Sequence, residues 1–277
     1  MADYRTMYRT HDGHIRVPFA DLGMFLRIER VPISVSEARA IENVATFLFS
    51  AGILTKRLKG HVDAYKEDTW VAVPIHELFL DTQGFFLFVQ QLLEDLALLI
   101  RMCLPPAQRH QMPAAFSHMT KRLLKDVLPP DAPLARFLST ERSWLNELKD
   151  LRDDILHRTV FRERSATFPD LIDVLRAGGG QPHFRGTNLA TYLGGVVVRV
   201  FALICLADEY VTSTLLGRYP GTRMQPRTGI LLSGGENDLS TEDKVARFGL
   251  GTPLCSMDSD SQSALEFFMK AGEDPGA

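Results

Sequence analysis

Apolar positions recur at helical spacing through most of this chain. Ser34-Val-Ser-Glu37 has the form of a capping box, in which a hydroxyl and a carboxylate each take a backbone N–H of the first turn. It predicts a helix running to about Lys59, with Ile41, Val44, Phe47, Leu48, Leu54 and Leu58 on its buried face and Gly60 as its stop. The pattern breaks around Trp70–Pro74. A second helix is expected from about Ile75 to Leu104, apolar nearly all round, which places it at the centre of a bundle. Pro105-Pro106 ends it, because proline lacks the N–H that the helix needs. A third helix is expected over Ala114–Val127, before Pro129-Pro130, and a fourth over Ser139–Arg158, capped by Ser139 or Thr140. Thr159–Arg162 and the stretch before Gly178-Gly179-Gly180 read as a small excursion, a hairpin plus one helical turn. The last long helix starts at Thr187 or Asn188 and runs to Leu216, closed by Gly217.

These elements predict an all-α fold, an antiparallel bundle of four to five long helices with a small β excursion. The bundle spans residues 35–217. Residues 1–34 read as an N-terminal extended arm in which Ile15–Phe19 and Met24–Arg30 fit a hairpin. Tyr4, Arg5, Tyr8, Arg9 and Arg16 make the arm basic and aromatic, as either a solvated end or a nucleic-acid strap. Residues 218–277 read as a flexible acidic C-terminal tail, rich in Ser, Gly and Asp. Within it Ser263-Ala-Leu-Glu266 is a second capping box ahead of Phe267-Phe268-Met269, an island that docks on the bundle or serves a partner as a handle.

Charge sharpens this division. The formal net charge of −3 is uneven: residues 231–277 hold nine acidic and three basic groups, leaving the rest at +3. A mildly basic body with an acidic tail is compatible with an anionic partner. Three cysteines (Cys103, Cys205, Cys255) are too few for a disulfide framework and fit a reducing cytoplasm. The start, MADYRTMYRTHDGH, lacks the basic-then-apolar order of a signal peptide. Arg199 interrupts the longest apolar run, so no membrane span is expected.

The chemistry concentrates in Ser139–Arg158. Turning about 100° per residue and setting Leu148 at zero, Trp144, Leu145, Leu151, Ile155 and Leu156 fall within about 80° of it. Glu147, Lys149, Asp150, Asp153 and Asp154 lie outside that band. Arg152 lies inside it, at about +40°, where an arginine must snorkel out, pair with a buried acid, or face a cleft or interface. His157 follows five residues later. An Arg with four to six residues between it and a following His occurs four times in the chain (Arg5/His11, Arg9/His14, Arg152/His157, Arg176/His183), and only the third pair sits on an amphipathic helix.

Arg152, the polar Asp153 after it and His157 resemble the Arg-polar-x-x-x-His signature of the HEPN family of helical-bundle domains. The resemblance implies metal-independent endoribonuclease chemistry without a cofactor, in a cleft between two protomers. Its bearer would be a toxin or defence effector. His157 would move protons at the ribose 2′-hydroxyl or the leaving oxygen, and Arg152 would stabilise the charged phosphorane. Asp153, one turn before His157, is placed to hold the imidazole. Arg158 and Arg162 are the expected RNA contacts. RNA, a second copy of the chain meeting on the Trp144–Leu156 band or its edge, and a regulatory protein are therefore the expected partners.

Other patterns carry less. Glu147, Asp150, Asp153 and Asp154 at helical spacing read as a solvated face rather than a metal site. His110 and His118 lack companions for a metal, and Gly178-Gly179-Gly180 lacks the GK[ST] of a phosphate loop. The alternative function is a catalytically silent helical module that binds a partner protein or a nucleotide.

Overall fold

The structure, a computed structural model, describes residues 19, 22, 33–45, 47–66, 75–158, 172–173, 183–184, 187–218 and 259–273. The fold is an all-α helical bundle with one small sheet. Its helices are α1 (Val35–Ala45), α2 (Phe47–Lys66), α3 (Ile75–Met102), α4 (Pro106–Arg109), α5 (Phe116–Asp126), α6 (Pro133–Thr140), α7 (Arg142–Arg158), α8 (Leu189–Arg218) and α9 (Ser259–Glu273). Strands β1 (Ile172–Asp173), β2 (His183–Phe184) and β3 (Thr187–Asn188) make an antiparallel sheet in that order. Phe184 faces both Ile172 and Thr187 across the ladder.

The chain divides into two compact units. One comprises residues 1–48, 91–143 and 201–257; the other comprises 49–90, 144–200 and 258–277.

In the first unit, the reciprocal capping box starts α1 as the sequence predicts. The Ser34 N–H donates to Glu37 Oε2 at 2.7 Å, and the Glu37 N–H donates to Ser34 Oγ at 3.2 Å. Ile41, Val44, Leu96, Leu99, Met119, Leu123, Phe137 and Leu138 are buried, and Phe47 meets Phe201 edge-on at 5.4 Å. Phe19 and Leu22 are fully buried in the same unit, whereas the rest of the expected hairpin lies outside the described residues. The C-terminus of α3 leaves carbonyls that no helical N–H can reach. Arg109 donates to the carbonyls of Leu104 (2.9 Å) and Met102 (2.6 Å), and Arg218 donates to those of Met102 (3.2 Å) and Cys103. Two cations thus sit at the negative end of the α3 dipole. Beside them burial pushes the Cys103 thiol up to about 12, against the pull of Arg218 and Arg109. Cys103 is a packed, unreactive side chain.

In the second unit, Phe184 stacks on Phe86 at 5.5 Å and meets Tyr192 at 4.8 Å, so the sheet is plugged into helical aromatic surface. Asn188 is the helix cap of α8: its Oδ1 accepts from the Ala190 N–H (2.9 Å) and the Thr191 N–H (3.4 Å). α9 buries Ala264, Leu265, Phe268 and Met269 at helical spacing. Burial of the last three contributes roughly 5–8 kcal/mol as an upper bound. A Cβ at Gly194 of α8 would fall onto the Phe268 carbonyl and the Gly272 N–H, and one at Gly272 would fall onto Gly194 and Gly195. These two backbones touch because both residues are glycine.

Several boundaries differ from the sequence expectation. Gly60 does not stop α2, which runs on to Lys66; one glycine costs about 1 kcal/mol in a helix, and burial of His61 and Val62 outweighs it. Thr46, between α1 and α2, lies outside the described residues. Ser139 and Thr140 are exposed at the end of α6, one helix earlier than expected. Leu134, Phe137 and Leu138, at i, i+3 and i+4 behind Pro133, demand their own helix. Gly217 lies inside α8. Leu189–Leu215 proves long and apolar enough to cross a membrane by length and composition, Arg199 notwithstanding, and 72% of its 18-residue apolar window is buried inside the protein.

Candidate active site

α7 carries the Arg/His pair. Its apolar band is real over the part described: Trp144 (6% exposed), Leu145, Leu148 and Leu151 (0%) are all buried. These four side chains serve the core of the chain. The helix is unbroken to Arg158, so Arg152 and His157 share one regular helix and stand about 140° apart around it. The side chains of Arg152, Asp154, Ile155, Leu156, His157 and Arg158 lie outside the described residues, as does Arg162 altogether.

Asp153 is half-buried and pairs with Lys149 at 4.0 Å. Glu147 is not merely a solvated acid, as its pattern suggested. Its Oε1 accepts a 2.6 Å hydrogen bond from the Tyr192 hydroxyl on α8. Close by, the Arg199 guanidinium lies 5.8 Å from the centre of the Trp144 ring, a cation–π contact, and its Nη1 reaches the Gly195 carbonyl at 3.5 Å. Trp144 Nε1 is buried without a hydrogen-bond partner among the described residues. The start of α7 is thus pinned to α8 by one hydrogen bond and one stacked cation, which fixes the helix whose far end bears Arg152 and His157.

A second constellation escaped the sequence reading. Asp81, in α3, is buried, and three donors converge on its carboxylate. Arg57 of α2 grips it twice, Nε to Oδ2 at 3.0 Å and Nη2 to Oδ1 at 2.8 Å. One turn along, His61 Nε2 reaches Oδ2 at 2.9 Å. Arg57 itself is 59% exposed while Asp81 is 6% exposed. The signal was available: Arg57 and His61 stand four apart on one helix, and Asp81 is a charge in an apolar one. Among the described residues no group of three or more His, Cys, Asp or Glu is arranged to hold a metal ion. His110 and His118 are exposed.

Comparison of the chain with protein-family models, with curated proteins and with solved structures finds no match.

Proposed function

We propose that the protein is a metal-independent HEPN-like endoribonuclease of the toxin or defence class, acting on single-stranded RNA as a homodimer. One observation carries the reading: α7 runs without a break to Arg158, so Arg152 continues the azimuth of a buried apolar band and His157 closes the helix. An arginine at that azimuth, next after the buried Leu151, suits a cleft at the edge of the bundle. There its planar, permanently charged fork stabilises the phosphorane, while His157 exchanges protons with the 2′-hydroxyl and the leaving oxygen. Asp153 orients the imidazole, and Arg158 and Arg162 hold the backbone on either side. The last turns of α7 form the two-fold contact.

The test is cleavage of a single-stranded RNA in EDTA. The wild-type chain cuts it, and His157→Ala cuts roughly 10²–10⁴-fold more slowly, the usual contribution of general acid–base work. Sedimentation at micromolar concentration shows a dimer. Absence of cleavage together with a monomer favours the second reading, a silent binding module.

A further inference from the structure

We propose that the outward face of α2 and α3 is a contact with a second copy of the chain, α2 laid upon α3 about a two-fold axis. Each helix turns a narrow stripe to solvent. With Ile53 set at zero, Arg57, Gly60 and Ala64 of α2 fall within about 40° of it. With Leu80 set at zero, Glu77, Gly84 and Leu87 of α3 fall within about 60°. Two of the three large apolar side chains that stand exposed among the described residues are here, Leu80 at 65% and Ile53 at 43%. Each stripe carries a single charge, and the two are of opposite sign. Glycine is a poor helix residue, and nothing inside the chain calls for it at these places. A Cβ on Gly60 or Gly84 would meet no atom within 4 Å, in contrast to Gly194 and Gly272. Such gaps admit the side chain or backbone of another helix.

The occupant follows from how the stripes match. Arg57 and His61 both meet Asp81, so α2 and α3 are neighbours. A connection as short as residues 67–74 makes them antiparallel. A two-fold axis normal to their common face therefore lays α2 parallel to the partner's α3, and does so twice. The positions then coincide at one offset. Arg57 opposite the partner's Glu77 sets Gly60 opposite the partner's Leu80 and Ala64 opposite the partner's Gly84. A cation meets an acid, a large side chain meets a glycine gap, and two small residues meet each other. Arg57 can serve both copies: Asp81 takes its Nε and Nη2, which leaves Nη1 for the carboxylate outside. A face that complements itself in shape and charge is what an isologous contact requires. This contact is separate from the one on the last turns of α7 and does not rest on the nuclease reading. Where both are made, copies assemble beyond the dimer.

The test is sedimentation of the full chain over a concentration series, joined to cross-linking. Leu80→Lys, at an exposed position, should melt as wild type and weaken association roughly 10²-fold, since a two-fold contact loses the side chain twice. If the α7 contact also holds, the variant falls from tetramer to dimer; if that contact fails, it falls from dimer to monomer. Ala64→Cys and Gly84→Cys, made on separate chains that also carry Cys255→Ser, should form a disulfide when mixed under mild oxidation. The two positions face each other only between copies, so neither variant should cross-link alone. The disulfide decides the matter if Leu80→Lys does not fold. Sedimentation that ignores Leu80→Lys overturns the proposal and leaves the face to a partner of another kind. A mixture that forms no disulfide, or as much disulfide in one variant alone, overturns it too.

Discussion

Two buried carboxylates on the same helix, Asp81 and Asp95 of α3, are held in opposite ways. Asp95 is met by neutral amides: Asn43 Nδ2 at 2.9 Å and Gln91 Nε2 at 3.4 Å. Burial pushes its carboxyl above the usual range, and the two amide hydrogen bonds only partly counter this. Asp81 is met by a guanidinium and an imidazole, and the guanidinium faces solvent. The difference teaches how to read a charge inside an apolar helix. A carboxylate satisfied by amides closes a local network. One satisfied by an exposed arginine orients a surface cation.

Substitutions can break this contrast, the largest effect coming from Arg57→Leu. It leaves a buried carboxylate with His61 as its remaining described partner, and chemical denaturation should show a loss of about 3 kcal/mol, the low end for breaking a buried pair. Asp81→Asn should cost about 2 kcal/mol, because two hydrogen bonds to charged donors weaken at once. Asn43→Leu should cost about 1 kcal/mol, since Asp95 can take up a proton when its best donor is lost. Asp95→Asn should be the smallest and of opposite sign. A folded-state pKa above the unfolded value means that ionised Asp95 opposes folding at neutral pH. That opposition vanishes below the unfolded value of about 3.9, where both states are protonated. The variant should thus gain stability over wild type near pH 7, and the gain should fade as pH drops towards 3. A loss at pH 7 as large as that of Asp81→Asn would erase the distinction between the two sites.

Helix positions were legible from the sequence where apolar periodicity and a cap agreed, as at Ser34–Glu37 and Asn188. They were misjudged where a single punctuating residue was trusted over the pattern around it. Gly60 sits within α2 because one turn of buried side chains outweighs a glycine, and Ser139 and Thr140 lie at the end of α6 because Leu134, Phe137 and Leu138 already commit that segment to a helix. For the candidate site, the band on α7 was readable as far as Leu151. The Arg57–His61–Asp81 cluster was legible only in its parts, Arg57 and His61 one turn apart and a charge in an apolar helix, because their meeting across 20 or more residues leaves no local period. The Gly194–Gly272 contact was hidden for the same reason: a glycine needed for close approach looks like any other until its neighbour is known.

The account stands or falls on Arg152. The direct measurement takes melting temperature and RNA cleavage in EDTA on the same preparation of Arg152→Leu, beside His157→Ala. If Arg152 faces a cleft, leucine extends the apolar band and the variant melts at or above the wild-type temperature while cleaving nothing. The opposite pattern contradicts the account: an Arg152→Leu that has lost about 3–5 kcal/mol by stranding a buried acid, beside a His157→Ala that behaves as wild type.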